Sequence, residues 1–409
     1  MYNFGLMLRF LTAGESHGQA LVAVVEGLPA GLTIDFDAIT TQLRRRQGGY
    51  GRGRRMAIES DHAEILSGVR AGRTMGGPVA LIIRNRDWKN WQRTMHVAAD
   101  VPADATGAER PAVTRPRPGH ADLAGGVKYG RDDLRDVLER ASARETAARV
   151  AVGALARQLL GRFGVRVASH VTRIGPVHVE DPLALQFADV AAIPADAPLN
   201  CADPIRQHEM MAEIDRAREA GDTLGGAFEI IATGVPIGLG SHVHYDRKLD
   251  GRLAQALMSI PAIKAVGLGL GPAVAERPGS RVHDEIVPAR EGADDAVGRL
   301  GLSRPTNNAG GLEGGVTNGS DLRVSGYMKP ISTLMKPLRS VDLRTLTPAD
   351  AAIERSDVCA VPAAAVVGEA MVCFVLADAF LEKFGGDSID EIANHVAATS
   401  RAPDAALPR

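Results

Sequence analysis

Cysteine is nearly missing from this chain: Cys201, Cys359 and Cys373 are the three in 409 residues, and no two form a Cys-x-x-Cys pair. That excludes a disulfide framework and predicts a reducing, cytoplasmic setting. Aromatic residues make up only 4% of the chain, so the core has to be aliphatic. There is no surplus of positive charge either, the formal net charge being -2. Wrapping nucleic acid requires a basic excess to neutralise phosphates, so no nucleic-acid partner is expected. The segment 1–11 lacks the basic, apolar and cleavage regions of a signal peptide. The longest apolar run, 360–381, contains Glu369 and Asp378 as well as Pro362 and Gly368. It reads as a buried core helix and not as a membrane span. His242-x-His244 lacks a third ligand, so no metal is expected.

What is present is ordinary for a large globular core, with 45% hydrophobic residues and 45 glycines for close packing and turns. Apolar and β-branched runs predict strands at 8–12, 21–26, 78–83, 165–174 and 227–233. Asp35 is placed to cap a helix through Phe36, Ile39 and Leu43. Helical spacing predicts one long helix over 132–160, ended by Gly161, and others over 203–221, 248–260 and 360–384. Long Pro/Ala-rich loops are expected at 98–118 and 189–204, and a disordered tail at 397–409. Strands and helices do not alternate regularly, and no linker divides the chain. The expectation is an α+β fold in one large domain, 1–396. The helices 132–160 and 360–384 are apolar over wide faces, which sheets on both sides would cover.

Five segments could carry chemistry. Residues 44–55 hold six arginines among four glycines, suited to a small multiply charged anion or to a solvated basic loop. Gly14-Glu15-Ser16-His17-Gly18 sets a histidine in a turn between two strands, as a surface residue or a proton donor. Its Gly-x-Ser-x-Gly rhythm matches a hydrolase elbow, but an elbow leads into a helix and this turn leads into a strand. Arg117-Pro118-Gly119-His120-Ala121-Asp122 is a stiffened bend or a plain turn. Arg355-Ser356-Asp357 precedes the apolar helix, where the aspartate is a cap or a base. Residues 306–319, with Lys329 to Thr333, form a glycine- and asparagine-rich surface loop or a ligand cradle.

Together these segments closely resemble the chorismate synthase family, in order, from Leu8 to about Gly386. Glu139-Arg140-Ala141-Ser142-Ala143-Arg144-Glu145-Thr146 and Arg355-Ser356-Asp357-Val358-Cys359-Ala360-Val361-Pro362 carry the resemblance with the Gly14, Arg44 and Arg117 motifs and the Ala309-Gly310-Gly311 loop. The resemblance implies a β-α-β sandwich, helices between two antiparallel sheets, assembled as a homotetramer. It implies anti 1,4-elimination of phosphate from 5-enolpyruvylshikimate 3-phosphate to give chorismate, the last shikimate-pathway step, with reduced FMN. NADPH is a possible source of the reducing electrons.

By the same resemblance, His17 protonates the departing phosphate, His120 faces the flavin, and Asp357 relays a proton. Ser16, Arg46, Arg52, Arg55, Arg117 and Arg355 would bind substrate. Arg46, Arg52 and Arg355 would also touch the cofactor. So would Arg140, Ala141, Ser142, Pro261, Ala262, Gly314, Lys329, Pro330, Ile331, Ser332 and Thr333. Two places depart from the family pattern. Asn308 stands where many members carry His or Arg, and 265–271 lacks the usual acidic residues. Other readings are a non-catalytic flavin or anion binder, an RNA binder built on the arginine loop, and an FMN oxidoreductase.

Overall fold

The computed structural model describes residues 7–52, 61–289, 301–353 and 357–400. Alternation sets the first sheet. Strands β1 (Arg9–Ala13), β2 (Ala20–Glu26), β3 (Ala63–Ile65) and β6 (Val79–Arg84) pair antiparallel in the order β1-β2-β6-β3. Leu21, Ala23 and Val25 of β2 and Val79, Leu81 and Ile83 of β6 are buried on one face, the period-two pattern of a half-covered sheet. A small hairpin, β4 (Val69–Arg70) and β5 (Arg73–Thr74), lies between β3 and β6 in the chain.

The second sheet is β7 (Arg166–Ile174), β8 (Val177–His178), β9 (Gly226–Thr233), β10 (Ile263–Leu268) and β15 (Leu322–Met328), antiparallel in the order β10-β15-β9-β7-β8. Three two-stranded pairs complete the strands: β11 (Val287–Pro288) with β12 (Leu302–Ser303), β13 (Leu312–Glu313) with β14 (Val316–Thr317), and β16 (Arg339–Asp342) with β17 (Thr347–Asp350). The helices are α1 (Phe36–Gln47), α2 (Asp122–Tyr129), α3 (Arg135–Leu138), α4 (Thr146–Arg162), α5 (Phe187–Ala191), α6 (Pro204–Glu219), α7 (Leu249–Met258), α8 (Val361–Phe384) and α9 (Ile389–Ser400).

Helix α8 is long and apolar enough to cross a membrane, and it is buried inside the fold, as expected of a core helix. Only Glu382 and Lys383 of its residues escape burial. It packs on α4 and on strands β7, β9 and β15, while α4 also packs on β2 and β6. Small residues let α4 and α8 approach closely. A Cβ at Gly153 would stand 2.4 Å from the Cβ of Ala370, so a larger residue there forces the helices apart. Each buried Val, Leu or Phe of α8 contributes about 1.5–3 kcal/mol of burial.

Both buried charges of α8 are paired. Glu369 accepts from Arg45 Nη1 and Nη2 at 2.8 Å each, from the Ser169 hydroxyl at 2.5 Å, and from Arg157. Burial alone would raise this carboxyl, but the Arg45 and Arg157 charges overcome it and bring it to about 2. Asp378 accepts the Leu8 amide at 2.8 Å and pairs with Arg252.

The antiparallel α+β expectation holds, and the strands fall within a residue or two of their predicted positions. The long helix over 132–160 does not hold. The chain forms α3, a 3-10 turn at Ala143–Glu145 and then α4. Ser142 breaks the run, its hydroxyl accepting the Arg144 amide at 3.3 Å as a cap does. Gly161 lies inside α4, and Phe163 is its C-cap. The expected loop from 189 begins inside α5, and α9 runs on to Ser400, past the expected start of the tail at 397. Residues 401–409 lie outside the described chain.

Candidate active site

The break between α3 and α4 serves the turn that joins β1 to β2. The Ser16 amide donates to the Glu139 carbonyl at 2.9 Å, and Ser142 Oγ bonds Ser16 Oγ at 3.1 Å. Arg140 grips the same turn, reaching the Gly14 carbonyl at 3.0 Å and the Thr12 carbonyl at 3.1 Å. His17 donates its backbone amide to Glu139 Oε2 at 2.8 Å, and its ring Nδ1 lies 2.9 Å from both carboxylate oxygens. The His17 ring also stacks on Trp91, centroids 3.7 Å apart and planes 20° apart. Arg110 lies over the same indole at 3.9 Å.

Arginines of α1 and the break meet at one buried carboxylate. Asp61 accepts Arg46 Nη2 at 2.6 Å and Arg144 Nη1 at 2.9 Å. Burial would raise the Asp61 carboxyl, and the two guanidinium charges hold it below its ordinary value instead. Burial pulls Arg46 below the ordinary guanidinium value, with Asp61 opposing and Arg52 adding to the shift. Six residues beyond Arg46, Arg52 Nη1 reaches Asp357 Oδ2 at 2.9 Å. The intervening chain is fastened to Asp357's neighbours, since the Gly51 carbonyl accepts the Val358 amide at 2.8 Å. Gly51 has φ +86° with Cys359 and Ile214 against it, a place where only glycine sits without strain.

The third cluster surrounds Asp122, which is fully buried. Its carboxylate accepts Arg117 Nε at 2.8 Å and Nη2 at 3.0 Å, and lies 2.5 Å from His120 Nδ1. Burial would raise the Asp122 carboxyl. Hydrogen bonds from His120 and Arg117, with the Arg117 charge, hold it far below the usual carboxylate range. Arg117 Nη1 also reaches Thr333 Oγ1 at 3.2 Å, and Lys329 Nζ donates to the Gly119 carbonyl at 2.8 Å. Burial lowers the Lys329 ammonium, and neighbouring Lys264 adds to this.

These clusters join in one closed circuit. From Arg144 the chain passes to Glu145, whose carboxylate pairs with Arg149 at 2.8 Å, and Arg149 reaches Ser259 Oγ at 2.8 Å. Pro261 and Ala262 follow, and the Ala262 carbonyl accepts the Lys329 amide at 2.9 Å. Lys329 leads through Pro330, Ile331 and Ser332 to Thr333 and Arg117. The return runs from the Ile331 carbonyl to Thr223 Oγ1 at 2.7 Å, then from the Leu224 amide to the Val358 carbonyl at 2.9 Å, beside Asp357 and Arg52.

The structure therefore links His17, His120, Asp357, Ser16, Arg46, Arg52 and Arg117 with the Arg140 to Ser142, Pro261 to Ala262 and Lys329 to Thr333 segments. Gly314 stands apart. It lies in the turn of β13 and β14, where the Gly315 carbonyl accepts the Leu249 amide at the start of α7. Pro261 follows the other end of α7, about 15 Å away by helix rise. Arg55 and Arg355 lie outside the described residues. Sequence reasoning named Glu139 and Asp122 within motifs without giving them roles, and it missed Asp61 and Trp91. The local Arg117-x-x-His120-x-Asp122 spacing was a readable signal for Asp122. Nothing in the sequence pointed Trp91 or Asp61 at the site.

Comparison with known proteins gives the family. The family model described as chorismate synthase matches residues 8–381. The chorismate synthase of Moorella thermoacetica is 59% identical over 392 residues, covering 96% of this chain and 98% of that protein. That of Desulforudis audaxviator is 58% identical over 386 residues, covering 94% and 95%. A crystal structure of chorismate synthase superposes with a TM-score of 0.75 at 43% identity, covering 96% of this chain and 97% of that one. With His17, His120, Arg46, Arg52 and Arg117 each paired to a carboxylate in linked clusters, and with likeness along nearly its whole length, this chain belongs to the chorismate synthase family of lyases.

Proposed function

We propose that this chain eliminates phosphate from 5-enolpyruvylshikimate 3-phosphate by an anti 1,4-elimination, giving chorismate, and that it requires reduced FMN. The observation that carries the reading is the single circuit that joins two histidines, each on a buried carboxylate, to Arg46, Arg52 and Arg117. The substrate bears two carboxylates and a phosphate, which guanidinium forks match. Donors are left over for it, because Arg46 Nε and Gln47 Nε2 are buried without a hydrogen-bond partner among the described residues.

The residues present also suit a flavin. Lys329, Arg140 and the serine and threonine hydroxyls of 329–333 and 142 offer donors to a phosphate and a ring edge. Gly119, at φ +78°, turns the chain just before His120, and its carbonyl accepts Lys329 Nζ. Arg46, Arg52, Arg140, Ala141, Ser142, Pro261, Ala262 and Lys329 to Thr333 would hold FMN, with Arg355 from the segment before Asp357. Gly314 would contribute from another position. Reduced FMN, when bound, supplies electron density to the substrate as its phosphate leaves.

The protein's own part is binding and proton movement. The carbon–oxygen bond to phosphate breaks with its electron pair, and His17 gives the departing oxygen a proton. The proton lost from C6 balances the reaction, which has no net redox change. The Asp357 carboxylate, held by Arg52, takes a proton on its way to solvent. His120, fixed at Nδ1 by Asp122, orients the cofactor edge.

The wider reading is a β-α-β sandwich, which the packing of α4 on the first sheet and α8 on the second supports. It includes a homotetramer and a cytoplasmic setting, with NADPH as one source of reducing electrons. Three free buried cysteines, their thiols pushed up to about 11 by burial, support a reducing setting.

The test is anaerobic. Protein, 5-enolpyruvylshikimate 3-phosphate and dithionite-reduced FMN are mixed, and chorismate is followed by its ultraviolet absorbance beside an oxidised-FMN control. Chorismate in excess over both protein and flavin, with reduced flavin only, is the expected result. Consumption of reductant with each turnover would instead mark an oxidoreductase.

A further inference from the structure

We propose that Glu139 is the positioning residue for His17, setting which of its ring nitrogens exchanges the proton. This rests on the reading of His17 as donor to the leaving phosphate. The Glu139 side chain is fully buried, and the His17 side chain is 13% exposed. One carboxylate engages His17 twice, at the backbone amide at 2.8 Å and at ring Nδ1 at 2.9 Å. That ties the ring to its own backbone and leaves χ1 and χ2 little freedom. Trp91, stacked at 3.7 Å, removes rotation out of the ring plane. Arg135, one helical turn earlier at 3.6 Å, supplies the carboxylate with a compensating charge.

The chemical consequence is a choice of tautomer. A carboxylate only accepts, so Nδ1 carries its hydrogen and the working proton belongs to Nε2. The carboxylate is also a counter-charge for the imidazolium that donates. The arrangement matches that of a histidine oriented by a buried acid in other proton-transfer sites. The two residues are 122 apart in the chain, and the break between α3 and α4 brings them together.

The experiment is a double-mutant cycle on the full chain with reduced FMN, read as kcat and KM. Glu139→Gln keeps the shape and removes the charge. It is expected to lower kcat by about 10- to 100-fold while KM for 5-enolpyruvylshikimate 3-phosphate stays within about threefold. In a His17→Ala background the same change is expected to do nothing further. Losses that multiply in the double variant, or wild-type kcat in Glu139→Gln, overturn the proposal. If Glu139→Gln fails to fold, nitrogen-15 spectra of the unaltered protein decide. Hydrogen on Nδ1 of neutral His17 supports the proposal, and hydrogen on Nε2 overturns it. Near-normal turnover in His17→Ala alone would strike the reading of His17 itself, a separate result.

Discussion

The site contains two histidines that look alike and are built differently. Each presents Nδ1 to a carboxylate with no exposed surface. His120 and Asp122 are two residues apart, and Arg117 from the same turn shares the carboxylate. His17 and Glu139 are joined across the fold, with Trp91 brought in from a third segment. The local pair is a rigid turn fit to hold something still. The long-range pair exists only once β1, β2, α3 and the loop around Trp91 have come together. His17 therefore depends on the whole fold for its setting, and His120 depends on one loop.

The largest effect should come from breaking the local pair. Asp122→Asn leaves Arg117 buried without its counter-charge and should cost about 3–5 kcal/mol, read by chemical unfolding. Reduced-FMN affinity should fall with it, by titration calorimetry.

A carboxylate that serves two arginines and a serine, Glu369, sharpens the contrast. Glu369→Gln strands Arg45 and Arg157, whose heads are about a quarter exposed, so the cost is about 3 kcal/mol, at the low end for such pairs. Turnover per folded molecule should stay within about threefold, since no histidine depends on it. Its pH dependence has a definite sign. The folded carboxyl lies at about 2 against an ordinary 4.5, so its stabilisation is complete above 4.5 and is lost as pH falls towards 2. Melting curves of the parent should drop across that window more steeply than those of Glu369→Gln.

Next come the proposed proton carriers. His17→Ala and Asp357→Ala should each lower kcat by a factor on the order of 10² or more with substrate still bound, by steady-state assay and calorimetry. The smallest effect belongs to Trp91→Phe. It keeps a stacking ring and loses the indole donor that reaches Asp87 Oδ2 at 2.9 Å, so kcat should fall only a few-fold.

The same contrast explains what the sequence disclosed. Period-two runs marked the strands because one face of each is covered, and α8 announced itself by its unbroken apolar face. The His120 cluster was readable because its partners share one turn. Glu139 was hidden inside what spacing made a single helix over 132–160. The apolar repeat resumes at Ala148 beyond Ser142, and the competing hydroxyl cap shows why the helix stops. Asp61 and Trp91 were hidden for a different reason. Their partners Arg46 and His17 lie 15 and 74 residues away in the chain, with no shared periodicity to connect them.

One measurement tests the division of labour directly: kcat and the dissociation constant for reduced FMN, measured side by side in His17→Ala and His120→Ala. The account predicts that His17→Ala keeps FMN affinity within about threefold and loses turnover on the order of 10². It predicts that His120→Ala weakens FMN binding about tenfold or more. Equal effects of the two variants on both quantities, or the reverse assignment, would contradict it.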